Sequence, residues 1–164
     1  RPGFAGRILR NFDIGDEDSA LIISSSGTSV VPVEMAEELQ EKGVTVVGMV
    51  SQKHSDASEA KREDGKKLGD FSDMILDTGA PVGDAAVQVS GLTEKVAPLS
   101  TLGGVILVNT IKAEVAERLV EGGAPPSVLA AACTAGVARS TELFEAAYDE
   151  HSRRMAKLYE NLGK

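Results

Sequence analysis

The chain has 164 residues, of which 42% are hydrophobic and 26% charged, a balance that fits one globular domain and excludes a disordered chain. Its formal net charge is −8, with basic residues no more concentrated than the pairs Lys66-Lys67 and Arg153-Arg154. That distribution argues against a nucleic-acid partner, which needs a dense basic surface. No apolar run approaches the roughly 20 residues of a membrane span, and the single Cys133 excludes an intrachain disulfide framework.

Aromatic residues are only 4% and Trp is absent, so the core must rest on Val, Ile, Leu and Ala, as suits parallel strands between helices. Residues 1–12 read as the tail of a helix, with Phe4, Ile8 and Leu9 at helical spacing. After a linker with Gly15, Asp16 and Asp18, residues Ser19 to Ile23 form a compact apolar run, predicted as a buried strand. A Ser/Gly loop follows, then a helix over about Val30 to Lys42, with Val31, Met35 and Leu39 inward and Glu34, Glu37, Glu38 and Glu41 outward. Gly43 is its expected C-terminal cap.

Val44 to Val50 is a second β-branched strand, ending in the polar loop Ser51 to Ser55. The charged stretch Asp56 to Gly69 is expected to be a short exposed helix, with Lys61 to Lys67 as a solvated face. Ser72 to Leu76 and Ala85 to Val89 are the third and fourth strands. Pro98 to Glu121 is one long helix, apolar nearly all round over Leu102 to Val108 and so expected to be deeply buried there. Gly122-Gly123 and Pro125-Pro126 end it. Cys133, in an Ala-rich stretch, is expected to be a small buried thiol. In the last helix, from about Ser140 to Leu162, Phe144, Tyr148, His151, Met155, Leu158 and Leu162 are spaced as a packing seam. Alternating strands and helices predict an α/β fold, a doubly wound, mainly parallel sheet flanked by helices.

The chemistry concentrates in Ser24-Ser25-Ser26-Gly27-Thr28-Ser29, between a strand and a helix. Open α/β sheets bind ligands at the carboxyl ends of their strands. Gly27 permits a sharp turn, the helix N-terminus favours an anion, and five hydroxyls offer further bonds. Pro32 loses no N–H that the first helical turn needs. The plainer alternative is that the Ser/Thr residues only cap the helix. No G-x-x-x-x-G-K-[ST] or G-x-G-x-x-G is present, so neither a P-loop nor a dinucleotide fingerprint explains the loop.

Ile22-Ile23-Ser24-Ser25-Ser26-Gly27-Thr28-Ser29 resembles the [S/T]-x-S-G-x-[S/T] signature of SIS (sugar isomerase) domains. The resemblance continues through Ala36 to Ser51, Lys67 to Leu76 and Pro98-Leu99-Ser100-Thr101, and covers about Phe4 to Gly123. Pro81 to Ala85 resembles the Pro-[IV]-Gly-Asp-Ala string of a group of bacterial single-SIS proteins. The resemblance implies a flavodoxin- or Rossmann-like three-layer sandwich. It implies that Ser24, Ser26 and Ser29 bind a sugar phosphate, that Gly27 shapes the loop, and that Ser51 and Ser100 line the same crevice. SIS domains begin with a helix, a strand and a further Gly/Ser loop. Residues 1–164 therefore read as a single SIS domain lacking its first helix and strand region, with 140–162 as a C-terminal packing or oligomerisation helix.

The implied function is phosphosugar binding. Two readings stand: a cofactor-free aldose–ketose sugar-phosphate isomerase, and a non-catalytic binding or regulatory module. A scaffold whose loop is merely a cap is a third. An isomerase needs a base near C1/C2 and a group that opens the ring. His54, in the loop after the second strand, is the catalytic candidate, against a plain surface His. His151 reads as a core or interface residue. Glu114 pairs with Arg118 four residues on, and Asp84 is a candidate contact to a sugar hydroxyl. No His/Cys/Asp/Glu set has metal-ligand spacing, so neither a metal nor another cofactor is implied. The expected partners are a phosphosugar and further copies of the chain as a homodimer or homotetramer. The expected location, lacking a visible signal peptide, is the cytoplasm.

Overall fold

A computed structural model describes residues 3–161. It divides the chain into two compact units, residues 1–110 and 111–164.

In the first unit, β1 (Ser19–Ile23), β2 (Thr45–Val50) and β3 (Met74–Asp77) form a parallel sheet in the order β1-β2-β3. The register sets Ser19 beside Thr45 and Ile23 beside Met49, then Val47 beside Met74 and Val50 beside Asp77. Helix α1 (Phe4–Leu9) and helix α2 (Val30–Glu41) lie in this unit. Because strand side chains alternate, Val46, Gly48 and Val50 share one face of β2. Val46 and Val50 belong to a buried cluster with Leu9, Val33, Ala36, Leu39, Val44 and Leu68. A side chain at Gly48 would sit 2.6 Å from Ser72 Oγ and 2.9 Å from Ile75 Cδ1, so glycine is what lets this face close. The α/β class and parallel sheet expected from the sequence are therefore present.

The opposite face is more open than expected. Leu21, Ile23 and Met74 are exposed, whereas Met49 is buried. Helix α4 (Ser100–Glu121) comes in here on glycines: a Cβ on Gly103 would lie 2.5 Å from the Thr78 carbonyl oxygen, and one on Gly104 3.9 Å from Met49 Sδ. The expectation that Leu102 to Val108 would be deeply buried is corrected. Only Gly104 is buried, and Leu102, Val105 and Ile106 are each more than half exposed. The helix approaches through its two small residues, which turns the larger side chains elsewhere.

Other boundaries shift for local reasons. The predicted first helix shortens to Phe4–Leu9; its first two residues, Arg1 and Pro2, lie outside the described residues. The polar segment after β2 is a short helix, α3 (Gln52–Asp56), whose N-terminal His54 amide bonds Ser51 Oγ. No helix forms over Asp56 to Gly69 beyond α3 and a one-turn 3-10 segment at Leu68–Phe71. Asp64 binds its own neighbourhood instead, accepting from the Lys66 amide, and Gly65 takes a positive φ. Arg62 fastens this segment to α2 through Glu37 at 2.6 Å, while its guanidinium lies 5.3 Å from the Phe71 ring centroid. The fourth strand, β4 (Ala85–Val87), pairs antiparallel with β5 (Val96–Pro98) in a separate ribbon.

In the second unit α4 ends at Glu121, a short α5 (Ala132–Ala135) follows, and α6 runs from Val137 to Asn161. Cys133 is exposed, against the expected buried thiol, because α5 is a single isolated turn with no buried residue. On α6, Phe144 and Tyr148 are exposed and stacked with centroids 6.3 Å apart. Met155 and Leu158 are half-buried and His151 is exposed; Leu162, the last seam residue, lies outside the described residues. Among the described residues no helix is long and apolar enough to cross a membrane.

Candidate functional site

The carboxyl ends of β1, β2 and β3 lead into Ser24, Ser51 and Thr78, so three loops meet at one sheet edge. At the first, Ser24-Ser25-Ser26-Gly27-Thr28-Ser29 is held by its carbonyls. Ser24 O accepts from Gly27 N at 3.0 Å, Ser25 O from Ser51 N at 2.9 Å, Gly27 O from Leu68 N at 2.8 Å and Ser29 O from Val33 N at 3.3 Å. The Ser24 amide donates to Met49 O at 2.9 Å. Gly27 is buried with φ 64, and a Cβ there would lie 3.3 Å from both Ser55 Oγ and Val50 Cγ1. The turn thus needs glycine for its backbone angle and for the space.

The donors of the loop are left over. Among the described residues the amides of Ser25, Ser26 and Ser29 have no protein acceptor. The amides of Val30 and Val31, in the first turn of α2, have none within the helix either. No acidic side chain sits in that turn. Ser29 occupies the N-cap position yet makes no side-chain cap bond. Ser26 Oγ and Thr28 Oγ1 bond each other at 2.8 Å, Thr28 being buried. Ser25 Oγ is buried without a partner. Simple helix capping therefore does not account for the hydroxyls. The loop turns carbonyls inward and keeps unpaired donors at the positive end of a 12-residue helix, an arrangement suited to an oxyanion.

The other predicted residues are engaged with one another. Ser51 is fully buried, and its hydroxyl donates to Ala80 O at 2.6 Å. His54, half-buried on α3, accepts the Gly83 amide on Nδ1 at 3.1 Å, which places its proton on Nε2. Ser100, the first residue of α4, donates its hydroxyl to Asp84 Oδ2 at 2.7 Å. Asp84 Oδ1 also accepts the amides of Ser100 at 2.6 Å and Leu99 at 3.1 Å. The Ser100 hydroxyl, helped by those amides, holds the Asp84 carboxyl below the usual carboxylate range. Asp77, at the end of β3, accepts the Gln52 amide at 3.0 Å and the Gly79 amide at 2.9 Å, and is lowered by those bonds. The structure brings Ser24 to Ser29 and Ser51 into one hydrogen-bonded assembly, and ties His54 to Ser100 through the 79–84 loop.

Sequence reasoning missed the roles of Asp84 and Leu68. The 16-residue separation of Asp84 from Ser100 hides a cap that is local in space only. Leu68 sits in a stretch read as exposed helix, so its burial against Gly27 had no periodic signal. His151 and Glu114 are exposed and belong to the second unit.

Comparison with known proteins supports the resemblance read from the loop. The family model described as SIS domain matches residues 1–51, which includes all of Ser24 to Ser29 and Ser51. The chain is 30% identical over 159 residues to the UPF0309 protein lin2794 of Listeria innocua, an alignment covering 97% of this chain and 63% of that protein. It is 36% identical to the UPF0309 protein BH3325 of Halalkalibacterium halodurans, over 77% of this chain and 52% of the relative. It is 37% identical to a UPF0309 protein of Brucella anthropi, over 76% and 50%. The chain thus spans between half and 63% of the length of these relatives, and none of their names states an activity.

Proposed function

We propose that this chain is the phosphosugar-holding part of an SIS protein, with the phosphate seated on the Ser24–Ser29 loop and the first turn of α2. The observation that carries this reading is the set of unpaired amides at Ser25, Ser26, Ser29, Val30 and Val31, with no acidic side chain in that helical turn. The SIS match over residues 1–51 supports the same ligand class. Ser26 is the hydroxyl to test, since it already orders Thr28. In a thermal-shift screen against hexose, pentose, heptose and amino-sugar phosphates, one class is expected to raise the midpoint by mass action. Ser26→Ala should weaken that ligand about tenfold, the worth of one hydrogen bond to a charged group. No shift with any sugar phosphate overturns the reading.

An aldose–ketose isomerase is the second reading, with His54 at its centre. Its Nε2 makes no hydrogen bond among the described residues, while Nδ1 is taken by the Gly83 amide. In this arrangement Nε2 is a donor, suited to polarising a sugar oxygen rather than abstracting a proton. Asp84 is a weak base for the same reason that it is a good cap. Binding without turnover is therefore the favoured form of the proposal.

We also propose a cytoplasmic protein that self-associates through the C-terminal segment 140–162, whose described part lies in α6 and where Phe144 and Tyr148 form a stacked exposed pair. Light scattering at micromolar concentration is expected to give a dimer or tetramer, and Tyr148→Asp to shift it toward the monomer. A monomeric mass for the unsubstituted chain excludes the association.

A further inference from the structure

Two long helices begin at this sheet edge, and their N-termini are arranged in opposite ways. Among the described residues the first turn of α2 has free amides and contains no acidic side chain. The first turn of α4, a 22-residue helix, is already covered: the Asp84 carboxylate accepts Leu99 N, Ser100 N and Ser100 Oγ at 2.6–3.1 Å. Asp84 does this from a left-handed backbone, φ 72, with its own carbonyl accepting Leu99 N at 3.2 Å. Asp is among the few side chains that tolerate that conformation. A fixed carboxylate thus stands where the helix would otherwise attract an external anion.

We propose that Asp84 is a specificity-determining residue of the loop cluster at this sheet edge. It reserves the α4 end for the uncharged, hydroxyl-bearing part of a sugar monophosphate and disfavours ligands carrying a second phosphate or a carboxylate there. Ser100 takes part on the same side. Its proton goes to Asp84, which leaves its oxygen lone pairs to accept from a sugar hydroxyl. The His54 ring, tied to Gly83 next to Asp84, offers an Nε2 donor to a sugar oxygen. This inference rests on the Ser24–Ser29 loop being the phosphate subsite, since only then does the far end of the ligand reach toward α4.

The test is calorimetric titration of the chain, at low ionic strength and before and after Asp84→Asn, with the monophosphate and the bisphosphate of whichever of the four sugar classes gives the largest thermal shift. Asn keeps the tolerance for a left-handed backbone and an acceptor for the amides, and removes the charge. The unsubstituted chain should prefer the monophosphate by about tenfold, an effect that salt diminishes. In Asp84→Asn the preference should fall below about threefold, the charge term having been removed. The ratio of two affinities in one protein cancels any change in the folded fraction, so mere destabilisation does not imitate the result. An equal preference in both proteins, or no preference in the unsubstituted chain, overturns the role of Asp84 and leaves the phosphate subsite intact. Failure of the unsubstituted chain to bind any monophosphate of the four sugar classes overturns the subsite itself, and with it this inference.

Discussion

Alanine in place of Gly27 is expected to abolish measurable sugar-phosphate binding while leaving a folded, less stable chain. Gly27 has φ 64, where an L side chain costs about 1–2 kcal/mol. Its Cβ would also press on Ser55 Oγ and Val50 Cγ1 at 3.3 Å, closer than ordinary contact. Relief requires the turn to move, and the turn carries the amides of Ser25, Ser26 and Ser29. Main-chain donors lose their common focus when the turn shifts, whereas Ser26→Ala removes only one hydroxyl. The loss of affinity should therefore be larger for Gly27→Ala than for Ser26→Ala. Calorimetry with the best ligand of the thermal-shift screen, beside urea unfolding, separates the two effects. Affinity retained by Gly27→Ala at the level of the unsubstituted chain would mean that the loop is not the phosphate subsite.

Leu68→Ala is expected to give the largest loss of stability, about 3 kcal/mol within the 2–5 kcal/mol range of buried Leu-to-Ala changes. Leu68 is fully buried in the cluster formed by Val33, Ala36, Val46 and Val50. Its amide donates to Gly27 O at 2.8 Å, and its Cβ lies 3.5 Å from where a Gly27 Cβ would be. The substitution leaves a cavity directly behind the turn, so ligand affinity should fall as well. Urea unfolding checks the stability term. A change under about 1 kcal/mol would show that the neighbours collapse onto the space, contrary to the packing described.

The sheet was legible because its strands carry their own signals. Ser19–Ile23, Thr45–Val50 and Met74–Asp77 are short apolar runs between polar turns. The rotation of α2 was read less well: its buried stripe is Val33, Ala36 and Leu39, whereas the spacing picked out Val31, Met35 and Leu39, and Val31 and Met35 are only half-buried. The Ser24–Ser29 loop was legible because composition and position, strand before and helix after, coincide. What escaped depends on contacts remote in sequence. Asp84 reaches Ser100 across the β4–β5 ribbon, and Arg62 pins a charged segment to Glu37, so neither leaves a periodic trace. The start of α4 misled for a different reason. A run of large apolar residues suggests burial, but Gly103 and Gly104 make the close approach and point Leu102, Val105 and Ile106 away.

The inward turn of the loop carbonyls also governs which solutes compete for the site. With the carbonyls of Ser24, Ser25, Gly27 and Ser29 already accepting bonds, four of the loop's six carbonyls are occupied while the amides of Ser25, Ser26 and Ser29 remain as donors. Tetrahedral oxyanions of the buffer, sulfate and inorganic phosphate above all, resemble the ligand's own phosphate in charge and shape. On the proposed reading of the loop as a phosphate subsite, the apparent dissociation constant of a sugar phosphate in their presence should be multiplied by one plus the ratio of buffer anion to its own dissociation constant. An affinity recorded in an organic amine buffer and one recorded in phosphate-buffered solution should therefore describe different equilibria.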